Sequence, residues 1–74
     1  MKYLANIAVD DAGAIELLRP EIERFKSPRS SIKISRKGGN TLVEFEAEDA
    51  TALRASIDSV VQLLKVFEKM SESR

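Results

Sequence analysis

The sequence predicts a single small domain, residues 1–74, that mixes strands and helices in the order β-α-β-β-α. Three observations carry this. Apolar residues alternate through Tyr3, Ala5, Ile7 and Val9; a Gly-Gly pair separates two further alternating runs; and a long helical-period segment closes the chain.

The first alternation leaves Leu4, Asn6 and Ala8 pointing the other way, which describes a strand with one buried face. Asp10 and Asp11 follow where a helix N-cap belongs, since a short carboxylate accepts the orphan N–H groups of a first turn. Ile15, Leu18, Ile22 and Phe25 then recur at helical spacing. Pro20 cannot donate a hydrogen bond to Glu16, so this helix is expected to end or bend near Arg19–Pro20. Ile32 and Ile34 alternate with Lys33 and Ser35; Val43, Phe45 and Ala47 alternate with Leu42, Glu44 and Glu46. Between them Lys37-Gly38-Gly39-Asn40 reads as a hairpin turn, where glycine tolerates the positive φ required. Asp49 is a second N-cap, opening a helix from Ala50 to about Met70.

Composition narrows the chemistry. The chain has neither Cys nor His, which removes disulfides, Cys nucleophiles, Ser-His-Asp triads and His-ligated zinc. No catalytic residue, cofactor or metal ligand is assigned. Twelve basic residues balance twelve acidic ones, so net charge argues for neither nucleic acid nor an anionic membrane. No apolar run resembles a signal peptide or spans a bilayer, and a cytoplasmic location is expected. A domain this small has a marginal core, which makes association the natural supplement.

The second helix carries more apolar surface than one contact needs. Leu53, Ile57, Val60, Leu64 and Phe67 form one stripe; Leu63, Val66 and Met70 form another, continued toward the N-terminus by Ala52, Ser56 and Ser59. Together the uncharged arc covers roughly two-thirds of the circumference, against somewhat over about 100° for docking on one sheet. Packing against the first helix would use part of the surplus; a partner protein would use the rest, with small residues allowing close approach. A second feature is basic: Arg24, Lys26, Arg29, Lys33, Arg36 and Lys37 occur with no acidic residue between them. Such a run suits phosphate contacts, or equally a solvated edge that resists strand pairing.

The stretch Glu46-Ala47-Glu48-Asp49-Ala50-Thr51-Ala52-Leu53-Arg54-Ala55-Ser56-Ile57-Asp58-Ser59 resembles the helix-opening motif of the Pcc/LAGE family, the small dimerisation subunits of the KEOPS complex. Chain length, element order, Arg19-Pro20-Glu21 and Leu64-Lys65-Val66 fit as well. The resemblance implies an α+β fold: a three-stranded antiparallel sheet with two helices on one face, pairing as a homodimer into a six-stranded sheet. It also implies a non-catalytic subunit that binds the threonylcarbamoyl transferase catalytic subunit and supports threonylcarbamoyladenosine formation at tRNA position 37. The expected partner-binding helix positions are then Ala52, Arg54, Ser56, Ser59, Leu63, Val66 and Met70, and the basic run becomes a candidate tRNA contact. For Arg54 the local alternative is an ion pair with Asp58. A divergent paralogue that heterodimerises with the standard subunit would share these features. A KH-like RNA-binding module would share the element order, but it needs a Gly-x-x-Gly clamp that Gly13 and Gly38-Gly39 do not make. A small carboxylate- and lysine-based enzyme and a scaffold unrelated to tRNA are the remaining readings.

Overall fold

The computed structural model describes residues 1–25 and 27–72. It consists of β1 (Tyr3–Val9), α1 (Ala14–Ile22) running into a 3-10 turn (Glu23–Phe25), β2 (Ser30–Lys37), β3 (Asn40–Ala47) and α2 (Ala50–Glu72). The strands form one antiparallel sheet in the order β1-β3-β2. Helix α1 returns the chain so that β1 and β2 run the same way, one strand apart, and β3 fills the gap antiparallel to both. Both β1 and β2 are therefore edges.

Alternation sorts the side chains onto two faces. Ala5, Phe45 and Ile32 lie in one cross-strand row, and Ile7, Val43 and Ile34 in the next. These rows meet Ala14, Leu18, Ile22 and Val60 from the helices to make the core. α1 packs on β2, α2 on β3 and β2, and the two helices touch each other. The opposite face carries Leu4, Asn6, Ala8, Ser31, Lys33, Ser35 and Glu44, all exposed. The expected arrangement, two helices on one face of a three-stranded antiparallel sheet, is the one found.

The hairpin closes through Gly38 and Gly39, flanked by the paired residues Lys37 and Asn40. Only Gly38 has positive φ, at 62°, the first central position where a type II′ turn demands it. Thr41, at the start of β3, is fully buried, and its hydroxyl donates to the Asp11 carbonyl at 2.8 Å, fastening the β1–α1 loop to the sheet.

Two local expectations are corrected. Helix α1 does not stop near Arg19–Pro20 but passes through Pro20 to Ile22. Glu16 and Pro20 are both exposed, so water can reach the carbonyl that Pro20 leaves without a donor. Continuing the helix also delivers Ile22 to the same core as Ile15 and Leu18, which offsets the proline penalty of about 3 kcal/mol. Nor do Asp10 and Asp11 cap α1 directly, because its N-cap position is Gly13, without a side-chain bond. Asp11 acts one step earlier, accepting the Gly13 N–H at 2.8 Å. Asp49 caps α2 as expected, its Oδ1 accepting the Ala52 N–H at 2.7 Å.

Candidate partner-binding surface

Helix α2 is held firmly at its start. The Glu48 N–H donates to the Arg29 carbonyl at 2.9 Å, and the Arg29 guanidinium lies 3.3 Å from the Asp49 carboxylate. One carboxylate thus caps the helix and binds the residue leading into β2. Slightly further along, the Ser56 hydroxyl donates to the Ser30 hydroxyl at 3.2 Å.

These contacts divide the predicted partner face. Ala52 and Ser56 are not open: they are 9% and 6% exposed, because the segment entering β2 lies over them. A groove of about 210 Å³ runs beside them, lined by Ser27, Arg29, Ser30, Ala55 and Ser59. Ser59 is half-buried and donates to the Ala55 carbonyl of its own helix at 3.0 Å. Leu63 is half-buried as well, whereas Val66 and Met70 are 50% and 57% exposed. The open apolar surface therefore lies on the C-terminal half of α2. The other stripe is accounted for: Val60 is buried, and Leu53, Ile57, Leu64 and Phe67 pack against the core, as does Leu63 from the border of the open strip. Arg54 sits on the solvent side, its Nε 3.8 Å from Asp58, the local pairing that i,i+4 spacing allows.

The basic run does not form one patch. Arg24 pairs with Glu21 at 3.6 Å, Arg29 with Asp49 at 3.3 Å, and Arg36 with Glu16 at 3.5 Å. Strand alternation sends Arg36 toward the helices, while Lys33 and Lys37 stand on the open sheet face, Lys33 directly across from Glu44. Lys26 lies outside the described residues. Sequence inspection missed a further pair on the sheet, Lys2 with Glu46 at 2.8 Å, since these residues meet only through the β1–β3 register. The hydrogen bond and the opposite charge hold the Glu46 carboxyl below its usual range and the Lys2 ammonium above its own.

Other grooves, of about 250 and 120 Å³, lie near Lys2, Arg29 and Glu46 and near Leu4, Lys33 and Glu44. They are smaller than the roughly 300–1,000 Å³ usual for small-molecule sites. Among the described residues no group of three or more acidic side chains is placed to hold a metal. No helix among them is long and apolar enough to cross a membrane.

A family model described as transcription factor Pcc1 matches residues 12–72, from the loop before α1 to the end of α2. Among curated proteins, none matches the sequence. The match covers most of the chain and the whole helix-opening motif, and the chain belongs to the Pcc1 family, that of the small accessory subunit of KEOPS in tRNA modification.

Proposed function

We propose that the protein is a non-catalytic dimerisation subunit of KEOPS that binds the threonylcarbamoyl transferase catalytic subunit in the cytoplasm and thereby supports threonylcarbamoyladenosine formation at tRNA position 37. The match of the Pcc1 family model over residues 12–72 carries this reading. The structure supplies a surface suited to it: the C-terminal half of α2, where Leu63, Val66 and Met70 offer an apolar strip on a helix rooted at its other end. Ser59 continues that strip one turn before Leu63, while Ala52 and Ser56 contribute by fixing the helix rather than by contact, and Arg54 lies on the far side of the helix. The mechanism is positional. A rigid helix presents a hydrophobic strip to the catalytic subunit, and pairing of two copies brings two such strips together.

Lys33 and Lys37 project from the open sheet face and suit phosphate contacts; Arg24, Arg29 and Arg36 would first have to leave carboxylates of their own chain.

Native mass spectrometry of the chain co-expressed with the transferase subunit of the same genome tests the core reading. A complex with two copies of this chain and one or two transferase subunits is expected. A dimer that ignores the transferase would point to the heterodimerising paralogue or an unrelated scaffold, and a lone monomer would overturn the proposal.

A further inference from the structure

We infer that Ser27 is a phosphorylation site, and that a phosphate there takes Arg29 away from Asp49 and loosens the start of α2.

Ser27 stands at the corner that leads into β2. It exchanges two backbone hydrogen bonds with Ser30, both long at 3.4 Å, so the corner opens at little cost. Ser27, Pro28 and Arg29 are all exposed. Pro28 biases the residue before it toward extended backbone, the form in which a kinase cleft takes its substrate. The Ser27 hydroxyl lies 3.0 Å from that of Ser30, which accepts from Ser56 of α2 at 3.2 Å. Of these three serines only Ser27 is exposed; Ser30 is half-buried and Ser56 buried. Open grooves flank the corner on both sides, one of about 250 Å³ that includes Lys2, Arg29, Glu46 and Glu48, the other of about 210 Å³ against α2. Ser27 borders both, so a phosphate on it has room without displacing the core.

The co-reactant is a nucleoside triphosphate held by a protein kinase that is directed by proline after the target serine. Ser27 Oγ attacks the terminal phosphorus; an Oγ–P bond forms as the bond to the bridging oxygen breaks. The nucleoside diphosphate leaves with that electron pair, and the hydroxyl proton passes to the base of the kinase. The new group carries a charge of about −1.5 to −2 at neutral pH and three strong acceptor oxygens. Two cations line its groove, each already paired: Lys2 with Glu46 at 2.8 Å and Arg29 with Asp49 at 3.3 Å. Arg29 is two residues away, holds the longer pair, and can grip phosphate with a fork of two N–H groups. Glu46 and Glu48 repel the phosphate from the Lys2 side. Arg29 therefore turns to the phosphate, and Asp49 keeps its bond to the Ala52 N–H but loses its tie to the corner. The effect lies within one chain and needs no partner.

Peptide mass spectrometry of the chain purified from the cells that encode it should find phosphate on Ser27 and none on Ser30 or Ser56. No phosphate on Ser27 in growing or starved cells, or phosphate on Ser31 in its place, would overturn the site. Recombinant protein carrying phosphoserine at position 27 tests the consequence. Its second phosphate ionisation, followed by ³¹P NMR, should lie below the ordinary value of about 6, return there with Arg29→Ala, and fall between with Arg29→Lys. A value that ignores Arg29→Ala would overturn the Arg29 contact. Hydrogen exchange at the Glu48 and Ala52 N–H groups should quicken several-fold on phosphorylation; unchanged exchange would overturn the loosening of α2. None of these readings involves the transferase subunit, so they stand or fall apart from its binding.

Discussion

Charge placed on the exposed strip of α2 should abolish capture of the catalytic subunit without unfolding the protein. The double substitution Val66→Asp, Met70→Asp makes the test. Each side chain is already about half exposed, at 50% and 57%, so the folded monomer gives up little when they change. Exposed positions of this kind shift stability by about 0.5 kcal/mol or less. Full burial of a Val or Met side chain is worth about 1.5–3 kcal/mol, so docking a partner over the remaining half gains roughly 1 kcal/mol from each. Loss of both gains, about 2 kcal/mol, weakens binding about 30-fold, and burying two new carboxylates weakens it further. Titration calorimetry against the purified transferase subunit reads the change in Kd, and circular dichroism confirms an unchanged melting curve. Val60→Ala provides the contrasting control: it opens a cavity at a fully buried position and should lower Tm while leaving the strip intact. If the doubly charged variant bound with its original Kd, the assignment of the C-terminal half of α2 to the partner would be wrong.

Three further outcomes follow from local geometry. Asp49→Ala removes the N-cap bond to Ala52 and the ion pair to Arg29, and should cost about 1–2 kcal/mol in a urea titration, with helix loss concentrated in the first turn of α2. Thr41→Val keeps the shape but removes the hydroxyl donor to the Asp11 carbonyl, which retains the longer bond from the Ala14 N–H at 3.3 Å, so about 1 kcal/mol of stability should disappear. Glu46 should titrate below the ordinary glutamate range by NMR, and Lys2→Met should return it there. Because the folded value is the lower one, the pair contributes stability above the ordinary range, and that contribution fades as pH falls through the lowered value.

The sequence made local features legible and hid those that depend on distant partners. Period-two alternation located every strand, Gly38-Gly39 located the turn, and Asp49 located the start of α2, because each signal is complete within a few residues. Pro20 misled for the opposite reason: its penalty is local, but the burial of Ile22 that outweighs it requires the sheet to be in place. The basic run misled in a related way. Read linearly it is a block of like charge, yet Glu16 and Asp49 come from other elements, and Glu21 from one turn earlier, to neutralise half of it. On α2 the wheel put Leu63 with Val66 and Met70, but Leu63 also packs against the core. It could not show that the segment entering β2 would close over Ala52 and Ser56 and leave only the far end of the second stripe open.

The rooting of α2 at the Arg29–Asp49 corner makes the helix a cantilever. Its 23 residues extend about 34 Å at 1.5 Å per residue, so a 5° tilt at the root sweeps the free end through about 3 Å. How accurately Met70 meets a partner is thus set in part some six turns away, by a capping carboxylate, an arginine and two serine hydroxyls, together with the seating of Leu53, Val60, Leu64 and Phe67 on the core. Damage to the hinge would register as poor aim at the tip, in a molecule whose contact surface was chemically untouched.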